Sequence, residues 1–150
     1  MVHHVQTTGD EQTLSAITGS NFDWSQIAIL TTELPSDQRR QMVDFPSESQ
    51  AKVTISNYTP QQVDITVDTP AAGMLILADN YYPGWRATLD GELITIYKAN
   101  HTLRAVFVPE GEHSIQFLFR PRILQAALVI SLTILALAGA IIWLDHRRNR

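Results

Sequence analysis

The longest apolar run of the chain, residues 123–144, most constrains what it can fold into. It contains no Asp, Glu, Lys, Arg or His, and only Gln125, Ser131 and Thr133 are clearly polar. A helix over this run reaches about 33 Å, and a hydrocarbon core is about 30 Å thick. A buried core helix is the alternative, but such helices are usually shorter and carry a polar stripe. The run therefore predicts one transmembrane helix.

Basic and aromatic residues flank this run as they flank membrane spans. Arg120 and Arg122 precede it, Trp143 lies at its far end, and Arg147 and Arg148 follow. Tryptophan favours the membrane interface, and cations at the end of a span meet lipid headgroups. The richer basic flank predicts a cytoplasmic C-terminus and an extracytoplasmic domain, on a single-pass protein of the plasma membrane.

The charge and cysteine content exclude several classes of function. The chain carries 15 acidic and 11 basic residues, and all but one of the acidic residues precede the apolar run. A domain with this acidic excess does not attract nucleic acid. The chain has no cysteine, which excludes disulfides and thiolate metal sites. Residues 1–20 lack the pattern of a signal peptide. Without one, the domain would stay in the cytoplasm and the basic tail would have to cross the membrane, against the positive-inside rule. We therefore expect upstream spans of a longer membrane protein to set the topology.

The residues between 51 and 122 show β periodicity. Apolar and polar residues alternate over 52–56 and 63–67, which is typical of half-buried strands. The continuous apolar run 74–77 predicts a central strand covered on both faces, and the Asp-Gly pair at 90–91 predicts a tight turn. The spacing of about eight strands predicts an all-β fold, a jelly-roll-like β-sandwich.

The part before residue 51 reads differently. Residues 10–18 predict a short helix, residues 26–31 a strand, and the polar stretch 32–50 a loop. The four predicted segments are an N-terminal helix, strand and loop packing on the sandwich (1–50), the sandwich core (51–122), the transmembrane helix (123–144) and a basic cytoplasmic tail (145–150).

A series of motifs in the second half of the chain resembles a known family. Leu-Ala-Asp-Asn-Tyr-Tyr-Pro-Gly-Trp at 77–85 is followed by Asp-Gly at 90–91, Leu-Arg-Ala-Val-Phe-Val-Pro at 103–109 and Phe-Arg-Pro-Arg at 119–122. In order and spacing they resemble the C-terminal end of bacterial YfhO-type membrane proteins. The resemblance covers residues 60–145 well and 1–50 loosely. Those large polytopic proteins are similar to GT-C glycosyltransferases, which use lipid-linked sugars.

The resemblance implies an extracytoplasmic accessory domain for cell-envelope glycan or glycolipid modification. It implies no catalysis by this chain alone, since a GT-C active site would lie on upstream spans. The implied partners are the lipid bilayer, upstream transmembrane segments of the same or a split protein, and a glycan or lipid-linked sugar; no cofactor is expected. The alternatives are a stand-alone, membrane-tethered carbohydrate-binding module and a truncated fragment without an independent role.

Four residues are candidates for glycan contact: Asp79, Tyr81, Tyr82 and Trp85. Aromatic rings suit the C–H faces of sugars, and a carboxylate accepts hydrogen bonds from hydroxyl groups. The alternative is a structural turn, in which the following Pro-Gly pair bends the chain and the aromatic rings pack the edge of the sandwich.

No catalytic or metal-binding set can be assembled from the sequence. Asp64 and Asp68 share one face of a predicted strand about 13 Å apart, too far for a hydrolytic pair. His3 and His4 are adjacent but have no third ligand, and the histidines at 101 and 113 are isolated. We therefore expect no catalytic residue and no metal ligand in this chain.

Overall fold

The computed structural model describes residues 1–2, 4–19, 22–23, 26–42 and 51–148. It divides into two units, Met1–Phe119 and Arg120–Arg150. The elements are β1 (His4–Thr7), α1 (Asp10–Ile17), β2 (Ile27–Leu30), α2 (Ser36–Gln41), β3 (Lys52–Tyr58), β4 (Gln62–Thr69), β5 (Gly73–Asn80), β6 (Trp85–Leu89), β7 (Glu92–Ile94), β8 (Tyr97–Ala99), β9 (Leu103–Val108), β10 (Gly111–Phe119) and α3 (Arg122–Arg148).

The strands of the first unit form two five-stranded sheets. The first sheet has the order β1-β2-β8-β9-β5, and the second has the order β3-β4-β10-β6-β7. The pair β1-β2 is parallel, and the other described pairs are antiparallel. This arrangement confirms the predicted all-β fold and the expectation that its strands would stack as a sandwich.

One hydrophobic core joins the two sheets. Val63, Ile65 and Val67 of β4 and Ile115 and Phe117 of β10 are buried in it at every second position, as the period-two pattern of the sequence predicts. Burying one such side chain contributes roughly 1.5–3 kcal/mol. The residues of this core are Val63, Ile65, Val67, Leu75, Leu77, Ala87, Val106, Val108, Ile115 and Phe117.

A second cluster covers the other face of the first sheet. Met74 of β5 and Phe107 of β9 pack there with Leu34, and Tyr97 donates a hydrogen bond to Gln38 of α2 at 2.9 Å. Burial on both faces explains why residues 74–77 of β5 and 105–108 of β9 are continuously apolar.

Strand β5 lies at the edge of its sheet, so the prediction that it is a central strand is wrong. Its outer side is covered by Val2, which exchanges two backbone hydrogen bonds with Met74, at 2.8 and 2.9 Å. Strand β1, which begins two residues after Val2, forms the opposite edge of the same sheet. The N-terminal segment therefore brings the two edges of this sheet close together. A single sequence window could not show this long-range pairing.

The region before β3 matches its predictions in part. Helix α1 and strand β2 confirm the predicted helix and strand within a few residues. The predicted loop 32–50 is wrong over Ser36–Gln41, which forms α2 although it buries no residue. Residues 43–50 and His3 lie outside the described residues.

The second unit contains helix α3, which includes the apolar run 123–144. Within the described parts of the chain, no helix has both the length and the apolar content needed to cross a membrane. The predicted transmembrane helix, and the single-pass topology derived from it, are corrected by this finding.

Candidate functional site

An open cleft of about 450 Å³ lies in the first unit, at one end of its hydrophobic core. Its walls come from both sheets: β3, β6 and β10 contribute from one, and β5 and β9 from the other. Aromatic side chains and one pair of opposite charges surround it. The lining residues are Tyr58, Thr59, Pro60, Asp79, Asn80, Tyr82, Trp85, Arg104 and Phe119.

An ion pair between neighbouring strands forms the polar part of the cleft. Arg104 of β9 donates from Nη2 to Oδ2 of Asp79 at 2.7 Å. The side chain of Arg104 is 2% exposed and that of Asp79 is 29% exposed. The register between β5 and β9 shifts after Leu77, and such an irregularity re-aims side chains at the end of a strand pair. The acceptor therefore faces the cleft while the cation is enclosed.

Aromatic rings enclose the guanidinium group of Arg104. Its Cζ lies 3.7 Å from the ring centroid of Trp85 and 5.2 Å from that of Phe117. The Trp85 ring also contacts Phe119 at a centroid distance of 5.3 Å. Burial lowers the pKa of Arg104 while the Asp79 charge opposes this, and arginine stays protonated in proteins. The Nε atom of Arg104 is buried without a hydrogen-bond partner. Ion pairing and cation–π contact stabilise this charge.

Tyr58 connects the edge of the second sheet to the same carboxylate. Its hydroxyl donates to Oδ1 of Asp79 at 2.8 Å, and this hydrogen bond is the main cause that raises the pKa of Tyr58. Both oxygens of Asp79 thus hold one donor each. A carboxylate oxygen accepts more than one hydrogen bond, so Asp79 can still receive donors from a molecule in the cleft.

The structure brings three of the four predicted glycan-contact residues together. Asp79, Tyr82 and Trp85 line the cleft, and the Tyr82 ring lies 6.3 Å from that of Phe119. Tyr81 is not among the lining residues, and its backbone N–H donates to the carbonyl oxygen of Thr102. Glycan contact by these residues stays a prediction.

Arg104 and Tyr58 are cleft residues that the sequence analysis missed. A signal for Arg104 was present, because it is the only charged residue of the otherwise apolar strand β9. A lone charge inside an apolar strand indicates a buried partner. Tyr58 offers no such signal, since its partner Asp79 lies on the other sheet.

A second pair of an acidic and a basic side chain lies at the turn between β6 and β7. Asp90, with a φ of 51°, and Gly91, with a φ of 90°, form the predicted tight turn. Oδ2 of Asp90 lies 2.7 Å from Nδ1 of His113, and the N–H of Ser114 donates to Oδ1 at 2.8 Å. These hydrogen bonds lower the pKa of Asp90, chiefly through His113, and Asp90 in turn raises the pKa of His113. His113 is therefore not isolated as predicted but fastens the turn to β10.

Asp64 binds side-chain amides rather than a second acid. Asn57, Gln62 and Gln116 all donate to its carboxylate at 2.8–3.0 Å, and the bond from Gln116 is the first cause that lowers its pKa. In the described residues, no group of three or more His, Asp or Glu side chains could hold a metal ion.

The predicted membrane-interface residues belong to the second unit. Arg120 is exposed, and Arg122 begins α3. Near the other end of α3, Trp143 is 52% exposed and has the Cζ of Arg147 at 4.0 Å from its ring centroid; Arg148 is exposed in the last turn. Their contact with lipid stays a prediction.

Comparison with known protein families gives a match. The profile of a protein family described as bacterial membrane protein YfhO matches residues 7–131. The match includes the strands that line the cleft and the first part of α3. No curated protein and no solved structure matches the chain.

Proposed function

The chain belongs to the YfhO family of bacterial membrane proteins, and from this premise we propose that its first unit is an extracytoplasmic accessory domain that binds a glycan. Membership in the family indicates a role connected with a membrane protein. The observation that carries the finer proposal is the cleft, in which aromatic rings and an accessible carboxylate meet.

The aromatic lining suits a sugar ring. Tyr82 is 64% exposed, and the partly buried rings of Trp85 and Phe119 line the same cleft. Exposed aromatic side chains that surround a concavity are typical of binding sites, because they bury large areas against a ligand at low entropic cost. The C–H face of a pyranose is a matching apolar surface.

The carboxylate supplies the direction-specific part of the recognition. Asp79 holds Tyr58 and Arg104 as donors and is fixed in place by them. A fixed acceptor binds a sugar hydroxyl at less entropic cost than a mobile one. The neighbouring Thr59 and Asn80 add further hydrogen-bonding groups at the rim.

Binding is favoured over hydrolysis by the number of acids in the cleft. Glycoside hydrolysis generally needs two carboxyl groups that flank the scissile bond. Among the lining residues that the structure describes, Asp79 is the one carboxylic acid. In this proposal the chain holds a cell-envelope glycan or a lipid-linked sugar for a reaction that transmembrane segments of the same or a partner protein carry out.

A stand-alone carbohydrate-binding module is the second candidate, and the same cleft supports it. The two differ in whether binding requires other membrane segments. If the purified 150-residue chain binds a glycan as tightly as its membrane complex does, the stand-alone module is favoured.

Adjacent tyrosines provide a matched test of the proposed cleft. On an array of bacterial envelope glycans, we expect the purified chain to bind a subset, and Tyr82→Ala and Trp85→Ala to weaken this binding at least about tenfold. Tyr81→Ala, a change of the same type one residue away, should leave it intact. Absence of binding by the wild-type chain, or equal losses for Tyr81→Ala and Tyr82→Ala, would contradict the proposal.

The extracytoplasmic location needs its own measurement. A protease added outside intact cells should digest the first unit, since that side of the membrane holds the envelope glycans. Protection in intact cells with digestion after lysis would place the unit in the cytoplasm and reject this part of the proposal.

A further inference from the structure

We propose that Asp79 and Arg104 make the cleft selective for uncharged sugar units that offer hydroxyl or amide donors, and against uronate or phosphate groups. The inference rests on the proposed glycan binding and deepens it by naming the class of ligand. Arg104 acts in it as a positioning residue rather than as a ligand for anions.

The charge balance of the cleft is the first support. Among its described lining residues, only Asp79 and Arg104 carry a charge, and these charges are opposite at 2.7 Å. The two charges therefore cancel, and no surplus cation is found among the described residues that line the cleft. A site built for a phosphate or a carboxylate usually presents an unpaired Arg or Lys in a forked geometry.

The accessibility of the two charges is the second support. Arg104 is 2% exposed, with its Nη2 bound to Asp79 and Trp85 stacked 3.7 Å from its Cζ. Asp79 is 29% exposed. A molecule that enters the cleft therefore finds the carboxylate more accessible than the guanidinium group. An anionic group would face repulsion there, whereas a hydroxyl or amide donor would find an acceptor.

The contacts of Arg104 assign it a positioning role. Its planar group orients Asp79 by a hydrogen bond and packs against the ring of Trp85, so one side chain fixes the two groups that would contact a sugar. Arginine suits this role better than lysine, because a planar guanidinium stacks on a ring while it donates in its plane.

The wild-type chain tests this selectivity without any substitution. The probes are neutral hexasaccharides and the same hexasaccharides oxidised to carboxylates at C6, titrated against the full 150-residue chain. We expect the neutral probe to bind at least about tenfold tighter, with little dependence on salt between about 50 and 500 mM. Tighter binding of the oxidised probe, weakening as salt increases, would overturn the inference and leave glycan binding standing. If no probe binds, both the inference on selectivity and the proposed glycan binding are overturned.

Two variants separate charge balance from positioning. Asp79→Asn keeps the shape but leaves the Arg104 charge uncompensated, so we expect the preference to move about tenfold toward the oxidised probe. Arg104→Lys keeps the balance but loses the planar stack, so both probes should weaken together and the preference should remain. A merely structural role would lower the affinity for both probes equally in both variants, and this result would refute the inference. If a variant does not fold, the salt series on the wild-type chain remains the deciding test of the inference.

Discussion

Two carboxylates of the first unit each lie 2.7 Å from a basic side chain, but the two pairs differ in how far they are exposed. Asp79 holds Arg104 at the end of the hydrophobic core, where the cation is 2% exposed. Asp90 holds His113 at a surface turn, where the acid itself is 51% exposed. Equal distances therefore do not imply equal energies, because the cost of leaving one partner unpaired depends on how far water is excluded.

The buried pair should show the largest effect when it is broken. Asp79→Ala leaves the charge of Arg104 enclosed without its partner, so we expect the free energy of unfolding to fall by about 3 kcal/mol. Urea denaturation followed by circular dichroism measures this loss. In the double variant Asp79→Leu with Arg104→Met, both charges are removed, and much of the stability should return. A loss below about 1 kcal/mol for Asp79→Ala would mean that water already reaches the guanidinium group.

The aromatic contact of the buried pair ranks next. Trp85→Ala removes the ring that covers Arg104 and its contact with Phe119, which should cost about 2 kcal/mol. The matched control is Trp143→Ala in α3, where Arg147 stacks on an exposed ring and a loss of about 0.5 kcal/mol is expected. Thermal denaturation of both variants measures the difference, and equal losses would contradict the role assigned to burial.

The backbone of the surface turn should matter less. Gly91 has a φ of 90° and nothing within 4 Å of an added Cβ, so Gly91→Ala meets conformational strain but no clash. We expect a loss of about 1 kcal/mol in the free energy of unfolding. Gly139→Ala is the control, because this glycine lies in α3 with equally open space and alanine favours a helix. A gain in stability at position 91 would show that the turn does not need its positive φ.

The exposed pair should contribute least, and in a pH-dependent way. Because the pKa of His113 is raised, its contribution is present below the ordinary histidine pKa of about 6.5 and is lost as the pH rises through the raised value. The lowered pKa of Asp90 means that its contribution is present above the ordinary value and is lost as the pH falls through the lowered one. The pair should therefore stabilise the fold most between about pH 4 and pH 6.5.

His113→Gln tests this window by thermal denaturation at several pH values. The melting temperature should differ more from that of the wild-type chain at about pH 5.5 than at about pH 9. For Asp90→Asn the difference in melting temperature from the wild-type chain should likewise be smaller at about pH 9 than at about pH 5.5, since this change removes the other half of the pair. A difference that does not change with pH would mean that the histidine acts by packing alone.

Local patterns predicted much of this fold because the relevant physics is local. The alternation over 63–67 became a strand with one buried face, and the Asp-Gly pair became a turn with positive φ at both positions. The same reasoning missed α2, since Ser36–Gln41 has no apolar stripe and buries no residue. It also overestimated the run 123–144, because a count of apolar residues predicted a span that the described helix does not support.

Only those residues of the candidate site that belong to one short sequence motif could be predicted. Asp79, Tyr82 and Trp85 lie within seven positions of one another, so a single motif contained them. Arg104 and Tyr58 reach the same cleft from other strands, and the register of β5 with β9 decides the first of these contacts. No local pattern carries that register, so the ion pair appeared only in the folded chain.

The cleft also has a mechanical consequence, because its walls belong to different sheets. The hydrogen bond from Tyr58 to Asp79 and the stack of Arg104 on Trp85 both run from one sheet to the other. Sliding the sheets past each other must break these contacts at one end of the sandwich. A sugar that fills the cleft would add further contacts between the two sheets. The force needed to slide the sheets past each other should therefore be higher for the occupied unit than for the empty one.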